Sequence, residues 1–507
     1  SKSKELSSFY GTMYEADIEK YMDLVTHFED LTKRELQAKL SANIPNAYSM
    51  GQKSAELNYL QKAIRSGGRQ MSIRKLFDTI PQLLRQLCPC MLMSPMSVAQ
   101  YIDPSFPKFD LVIFDEASQM PTCEAVGAIE RGENVVVVGD PKQFPPTSFF
   151  TGNKIDEENY DKEDLESVLD DCLALTMPEM RLSWHYRSRH ESLIAYSNSR
   201  YYDNKLYTFP SPEDLMSEVK WVPVDGFYDK GGTRQNRAEA EAVVAEIIRR
   251  LSDEKLRDDS IGVVTFNAVQ QILIDDLLVE EFQKYPELEE FNKSCQEPVL
   301  IKNLENVQGD ERDVILFSIG YGPDQEGKIS MNFGPINNDG GWRRLNVAIT
   351  RARKEMIVYS TIRPEQIDLK RTHSDGVAGL KGFLEFAAKG KNSLVARYDQ
   401  IRTSSYEMED CIADELEKRD YQVKKHIGSS EFKVDIGVVN PLNPARYLLG
   451  ILCDGETYQS ANTSRDRNIL QPGMLQNLRW MIYRDWTIDW MENLNFVKGK
   501  VMEVIRK

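Results

Sequence analysis

Short apolar runs that end in polar loops recur through the chain, and they constrain the fold more than any other feature. The runs are FDLVIFDEAS, NVVVVGDPKQFPP, IGVVTF, DVILFSIG and EMIVYS, with a shorter run, CMLMSP, before them. Uninterrupted apolar runs of this length are typical of strands buried on both faces of a parallel sheet. Helical segments separate them, so the sequence predicts an α/β chain with two parallel-sheet units. In such units the functional loops commonly lie at the carboxyl ends of the strands.

Changes in this pattern mark the boundaries of the expected domains. Residues 1–87 have apolar residues at near-helical spacing among charges, which predicts a helical arm. We expect residues 88–180 and 181–365 to form the two parallel-sheet units, the first of them partial. We expect residues 366–403 to be a linker with one helix, and residues 404–507 to form a third unit of α/β type.

Composition limits the classes of function. With 507 residues, of which 41% are apolar and 28% charged, the chain can bury several cores. No apolar run approaches the ~20 residues that span a bilayer. The seven cysteines are dispersed, which indicates reduced thiols and a cytoplasmic protein. A net charge of −16 argues against binding of nucleic acid over the whole surface, but it is compatible with a local basic channel.

Two adjacent acids, Asp115 and Glu116, follow the run VIF. Carboxylates at a strand end can hold Mg²⁺ and polarise an attacking water, although a strand that merely leaves the core has the same pattern. Further along, Gln143 in GDPKQFPP could sense a γ-phosphate by hydrogen bonding. Arg187 in WHYRSRH and Arg351 in RRLNVAITRAR could stabilise the charge that develops on a transferred phosphoryl group.

In this order, DEAS, GDPKQFPP, HYRSRH, QGDERD and NVAITRAR resemble motifs II to VI of the superfamily 1 helicases, most closely the Upf-like branch. The resemblance covers about residues 88–361. It implies two RecA-like domains with ATP and Mg²⁺ between them and a single nucleic-acid strand across their top. It assigns Asp115 to Mg²⁺, Glu116 to the base, Gln143 to the γ-phosphate, and Arg187 and Arg351 to arginine fingers.

The same resemblance assigns further residues, some of which have a second interpretation. Its remaining implied roles are the phosphates for Gly309, the ribose for Glu311, the nucleotide for Arg353, and the nucleic-acid strand for Ser94, Thr265 and Gln308. Ser94 could equally cap a helix. Arg353 and Arg344 could be ordinary salt-bridge arginines, and His185 and His190 are better explained as packing groups than as acid–base catalysts.

The phosphate-binding loop that such a motor needs, G-x-x-x-x-G-K-[ST], does not occur in this sequence. The nearest match, GPDQEGKI, has Ile329 where a hydroxyl is required. We therefore expect these residues to be the C-terminal portion of a longer helicase whose first sheet lacks its central strand here. We also expect no ATP hydrolysis by this chain alone.

The last unit carries acids on and after its predicted strands: Asp435, Asp454 and Glu456, with Glu409 on the preceding helix. Acids at the ends of neighbouring strands can hold Mg²⁺ for phosphodiester hydrolysis. The stretch RYLLGILCDGETYQSANTSRDRN resembles the restriction-endonuclease-like domain, of Vsr type, at the C-terminus of large bacterial helicases. The resemblance covers about residues 404–495.

This chain departs from that pattern at two positions. Leu452 and Gln459 stand where relatives tend to have Glu and His, and neither can replace the ligand or the proton carrier. An active nuclease and a degenerate domain that binds nucleic acid or a partner therefore both stay open. Tryptophans 480, 486 and 490 could stack on bases, but their spacing favours packing.

The leading hypothesis is an ATP-dependent helicase or translocase fused to a nuclease-like domain, acting on single-stranded nucleic acid, with DNA favoured over RNA. The alternatives are an Mg²⁺-dependent nuclease that the motor delivers, and a non-catalytic nucleic-acid-binding scaffold.

Overall fold

The computed structural model describes residues 10–45, 53–69, 71–146, 167–213, 215–394 and 407–492, with residues 499 and 503. The chain divides into two compact units, one made of residues 1–18 and 181–507 and the other of residues 19–180. Over the described ranges, no helix is both long enough and apolar enough to cross a membrane.

Helices predominate among the described residues of 19–180, and those up to residue 87 match the helical arm that the sequence predicted. The helices are α1 (Gly11–Ala42, which begins in the other unit), α2 (Lys53–Arg65), α3 (Ile73–Thr79), α4 (Pro81–Leu87), α5 (Pro95–Tyr101), α6 (Thr122–Ile129) and α7 (Val168–Ala174). Two strands, β1 (Val112–Phe114) and β2 (Val135–Val137), pair in parallel. The run CMLM, which we expected to be a strand, forms none, because it leads directly into the cap of α5.

The larger unit contains a five-stranded parallel sheet in the order β3-β7-β6-β4-β5. Its strands are β3 (Val219–Pro223), β4 (Ile261–Thr265), β5 (Leu300–Asn303), β6 (Arg312–Ser318) and β7 (Ala352–Ser360), and its helices are α8 (Ser192–Tyr201), α9 (Arg237–Ser252), α10 (Ala268–Lys284), α11 (Pro286–Ser294) and α12 (Trp342–Ile349). The apolar faces of α9 and α10 bury one side of the sheet. The central strands are buried along their whole length, as their unbroken apolar runs predicted.

The next helix, α13 (Asp375–Lys389), corrects the expected linker. Its residues Val377, Leu380 and Phe386 are fully buried, and the ring of Phe383 lies 6.1 Å from that of Phe317 on β6. The helix therefore belongs to the core of the sheet unit, because it covers the face opposite α9.

The C-terminal sheet is mixed, in the order β11-β10-β9-β8. Its elements are α14 (Glu407–Glu417), β8 (Val423–Ile427), β9 (Val434–Asn440), β10 (Asn443–Leu452), α15 (Glu456–Ser460), α16 (Gln471–Asn477), β11 (Ile482–Arg484) and α17 (Thr487–Glu492). β8, β9 and β10 are antiparallel, and β11 runs parallel to β10. The fold class is thus confirmed: parallel-sheet units, a separate C-terminal α/β unit and a helical N-terminal region.

A buried carboxylate ties the larger sheet to α9. Glu239 accepts hydrogen bonds from the backbone N–H of Gly320 (2.7 Å), beyond β6, and of Thr361 (2.7 Å), beyond β7. It also accepts from Ser318 Oγ and from Asn236 Nδ2, both at 3.0 Å. Burial raises the pKa of this carboxyl to about 7, against the opposing effect of the donors. Glu239 therefore holds two strand ends and a helix start at one point.

We expect Glu239→Ala to destabilise the fold by roughly 3–5 kcal/mol, because several buried donors lose their acceptor at once. Urea unfolding measures the change in the free energy of unfolding. Glu241→Ala is the matched control, since Glu241 lies on the exposed side of the same helix and pairs only with Arg237 in a solvent-exposed salt bridge. Equal losses in the two variants would refute the structural role of Glu239.

Candidate functional site

The acid pair lies where β1 ends. The chain turns sharply there, since Glu116 has a left-handed φ of 52° and its N–H donates to Asp115 Oδ1 at 3.0 Å. Gln119 Nε2 donates to Glu116 Oε2 at 3.2 Å. Both carboxylates are exposed to solvent, so they can reach a bound cation or a water molecule.

The loop after β2 runs beside this turn. Ala117 N–H donates to Val138 O at 2.9 Å, and a Cβ on Gly139 would lie 2.9 Å from Ser118 N. Gln143 donates from Nε2 to Asp140 Oδ2 at 3.0 Å. The structure thus brings the acid turn and the Gln143 loop together. It also adds Asp140, which orients Gln143 and which the sequence analysis had not assigned a role.

In the larger unit, the predicted arginine finger Arg187 meets Glu311. Arg187 Nε donates to Glu311 Oε2 at 2.6 Å, although the two residues are 124 positions apart in sequence. Glu311 lies directly before β6, and Arg351 lies directly before β7. This cluster therefore occupies the amino edge of the sheet. Our expectation that functional loops lie at the carboxyl ends is wrong for this unit.

Arg353 is held in an ion-pair network at the same edge. Its guanidinium donates to Glu297, to Asp313 Oδ1 at 3.2 Å and to Ser260 Oγ at 2.9 Å, and it lies 3.6 Å from Glu311 Oε1. The hydrogen bond from Arg353 is the main reason that the pKa of Glu297 is lowered. These contacts match the salt-bridge interpretation of Arg353, and its role at a nucleotide stays a prediction. Arg344 likewise pairs with a carboxylate, that of Glu305, at 2.8 Å.

Arg351 is buried at the end of α12. Its Nε donates to Val347 O at 2.8 Å, and its Nη2 donates to Thr350 Oγ1 at 3.2 Å. Burial lowers the pKa of His185 to about 4, and the charges of Arg187 and Arg351 add to this effect. Ser188 N–H donates to His185 Nε2 at 3.2 Å, so this nitrogen is an acceptor. His185 is therefore neutral near neutral pH.

The residues assigned to the strand and the phosphates lie in separate places. Thr265 ends β4 at the carboxyl edge, where its Oγ1 donates to Asn267 O at 2.8 Å. Gln308 and Gly309 lie in the loop before β6, and Gly309 has a φ of 85°, which favours glycine. Ser94 Oγ accepts from Ser97 N–H at 3.2 Å and caps α5, as its alternative interpretation proposed.

Acids also gather in the C-terminal unit. Asp435 and Glu409 are both buried, and Asp435 Oδ2 accepts from Cys453 N–H at 2.7 Å. Burial raises the pKa of Asp435 to about 6 and that of Glu409 to about 7, and repulsion between the carboxylates contributes. His426 Nε2 lies 3.3 Å from Glu409 Oε2, a contact that the sequence analysis did not predict.

The predicted nuclease ligands do not converge into a complete site. Asp454 Oδ1 accepts from Thr487 N–H at 3.2 Å, and Glu456 is exposed. Across the part of the chain that the structure describes, no three His, Cys, Asp or Glu side chains form a group that could hold a metal ion. The side chain of Leu452 is buried in an apolar cluster with Trp480 and Phe209.

Three family models match the chain. Two are described as AAA domains and match residues 92–150 and 164–363, and the third, REase_MTES_1575, matches residues 408–505. A protein of Mycoplasma pneumoniae named an uncharacterized ATP-dependent helicase is 26% identical over 523 residues, which cover 96% of this chain and 44% of that protein. The chain thus carries AAA domains of the Upf-like superfamily 1 helicase type, followed by a restriction-endonuclease-like domain.

Two other helicases match a smaller share of the chain. An uncharacterized ATP-dependent helicase of Mycoplasma genitalium is 32% identical over 330 residues, covering 61% of this chain and 28% of the relative. The 5'-3' DNA helicase ZGRF1 of Mus musculus is 28% identical over 266 residues, covering 50% of this chain and 13% of the relative. The chain thus spans less than half the length of these relatives.

We expect Leu452→Glu to destabilise the restriction-endonuclease-like domain of this helicase rather than to restore a metal ligand. A carboxylate placed in the apolar cluster has no partner, and an unpaired buried charge costs about 3–5 kcal/mol. Urea unfolding measures this cost. Leu442→Glu, the same change at a residue that is 95% exposed, should alter the free energy of unfolding by less than about 0.5 kcal/mol. A folded Leu452→Glu variant that gains Mg²⁺-dependent cleavage would contradict the expectation.

Proposed function

We propose that this chain supplies the acid motif and the arginine fingers of an ATP-dependent nucleic-acid helicase or translocase. The observation that carries the proposal is the meeting of Arg187 with Glu311 at 2.6 Å, with Arg351 close enough to depress the pKa of His185. Motifs far apart in sequence thereby gather several guanidinium groups at one sheet edge. A cluster of this kind suits a ligand with several negative charges.

In the proposed reaction each group has a distinct task. Asp115 would hold Mg²⁺, and Glu116 would orient the attacking water. Gln143, held by Asp140, would hydrogen-bond the γ-phosphate. Arg187 and Arg351 would neutralise the charge that develops on the transferred phosphoryl group, an interaction that is strongest in the transition state.

Arg187→Ala should lower kcat of strand-stimulated ATP hydrolysis by about 10³-fold, which is the usual scale for an arginine finger. The measurement needs a longer form of the protein that includes a phosphate-binding loop, and Arg249→Ala is the control because the Arg249 side chain is 53% exposed and pairs with Glu246 on the same helix. The 507-residue chain by itself should show no turnover, since its sequence lacks that loop. Turnover by the short chain, or full activity of Arg187→Ala, would refute the proposal.

The proposed substrate is a single strand, with DNA favoured because one matched relative is named a DNA helicase. A comparison of single-stranded DNA and RNA as activators of ATP hydrolysis, at one salt concentration, decides between them. The proposed location is cytoplasmic, in keeping with the cysteines of the described residues, all of which are free thiols.

A second candidate function, Mg²⁺-dependent cleavage, is favoured by the buried acids Asp435 and Glu409, since a bound cation would relieve their repulsion. Leu452 opposes it, because relatives have a ligand there and this side chain is in the apolar core. A non-catalytic domain that binds nucleic acid is the third possibility.

We expect no cleavage of single- or double-stranded DNA or RNA by this chain in the presence of Mg²⁺ or Mn²⁺. The reason is the missing third ligand in the restriction-endonuclease-like domain. Gel electrophoresis of labelled substrates measures cleavage, and Asp435→Asn tests whether any activity belongs to this domain. Cleavage by the unmodified chain that Asp435→Asn abolishes would establish the nuclease instead.

A further inference from the structure

The segment that carries Arg187 is held by residues 207–212, which we call the strap. Trp184 and Tyr207 form a parallel β-bridge. Tyr207 N–H donates to Ser183 O at 2.7 Å, and His185 N–H donates to Tyr207 O at 2.9 Å. Arg187 follows His185 by two residues. The backbone position of the arginine finger thus depends on where the strap lies.

The restriction-endonuclease-like domain holds the strap by backbone-directed hydrogen bonds. Ser430 Oγ accepts from Thr208 N–H at 3.0 Å and donates to Thr208 O at 2.9 Å. Trp480 Nε1 donates to Pro210 O at 2.7 Å. These contacts bind main-chain atoms, so they fix the course of the strap regardless of its side chains.

The same strap takes further hydrogen bonds from the domain. Tyr447 N–H donates to Pro212 O at 2.7 Å, and Tyr207 Oη donates to Glu431 Oε2 at 2.7 Å. A strap whose peptide groups formed hydrogen bonds only to water would be mobile. Here both proline carbonyls and the Thr208 peptide groups have partners in the C-terminal domain.

Apolar packing also connects the strap to the C-terminal domain and to the Arg187 segment. The ring of Phe209 lies 4.6 Å from that of Phe432 in the C-terminal domain and 5.1 Å from that of Trp184 in the Arg187 segment. Phe209 and Phe432 are buried with Leu452 and Trp480 in one cluster. The side chains therefore connect the C-terminal domain, the strap and the Arg187 segment without a break.

A buried acid joins the three parts. Glu191, just before α8, accepts from Ser429 N–H at 2.8 Å and from the hydroxyl of Thr208 in the strap. Glu191 lies in the chain four residues after Arg187. The same carboxylate thus links the Arg187 segment to the strap and to the turn of the C-terminal domain that precedes Ser430.

We propose that the restriction-endonuclease-like domain is a positioning element for the arginine finger. Through their hydrogen bonds to the strap, Ser430 and Trp480 hold the backbone that carries Arg187. The domain then contributes to the motor through its docking surface, whether or not it cleaves nucleic acid. The consequence for turnover rests on the helicase function proposed above. The mechanical claim concerns only contacts within this chain.

Hydrogen exchange of the 507-residue chain tests the mechanical claim without any enzymatic activity. The informative group is His185 N–H, which donates its hydrogen bond to Tyr207 O and not to Ser430 or Trp480. Ser430→Ala and Trp480→Phe should each speed its exchange roughly fivefold, the effect of weakening a typical hydrogen bond. Buried amides of β4 should keep their protection, which shows that the sheet remains folded.

The controls repeat the same substitutions away from the strap. Trp490→Phe alters a tryptophan that packs against the opposite core of the domain, and Ser464→Ala alters an exposed serine. Neither should change exchange at His185. If Ser430→Ala and Trp480→Phe speed exchange only at Thr208 and leave His185 unaffected, the proposal is overturned.

The catalytic consequence is measured separately, in a longer form of the protein that hydrolyses ATP. Trp480→Phe should lower kcat about threefold to tenfold and leave KM for ATP unchanged, because the arginine finger acts on the transition state. In an Arg187→Ala background the same substitution should have no further effect on kcat. An additive loss would show a general structural defect and refute the positioning role. Altered exchange at His185 in the 507-residue chain, together with no ATP hydrolysis by the longer form, would support the positioning of the backbone and refute only the proposed helicase function.

Discussion

The buried carboxylate of Glu239 is the interaction on which the arrangement of the larger unit depends. It binds the peptide N–H groups just beyond β6 and β7 and the start of α9, so the two central strands end at a common level. At the amino end of these strands Arg312 pairs with Ala352, and Arg312 N–H donates to Arg351 O at 3.3 Å. Glu311 before β6 and Arg351 before β7 therefore lie next to each other at that edge.

The amino edge of that sheet concentrates positive charge and balances it internally. Arg187 is compensated by Glu311, and Arg353 by Glu297 and Asp313. These groups are only partly exposed, so their attraction is less screened than that of surface pairs. An anion that draws Arg187 away must compete with Glu311, while Arg353 remains beside the carboxylate that is released. The charges at this edge are thus compensated without a bound anion.

In the restriction-endonuclease-like domain, the side chain of Leu452 has a packing role. At position 452 a carboxylate would face the cluster formed by Phe209, Phe432 and Trp480, whereas leucine completes it. Because Phe209 belongs to the strap, the side chain of Leu452 contributes to the apolar cluster that joins the strap to the domain.

The sequence by itself determined the buried strands β4, β6 and β7 and the order of the motifs, because unbroken apolar runs predict buried parallel strands and because the motif residues are contiguous. The packing of α13 against β6, the cap made by Ser94, the irregular course of CMLM and the burial of Leu452 were decided only by the tertiary structure. So was the contact of Arg187 with Glu311. The packing of α13, the burial of Leu452 and the contact of Arg187 with Glu311 each depend on distances between segments far apart in the chain, and local periodicity carries no information about such distances.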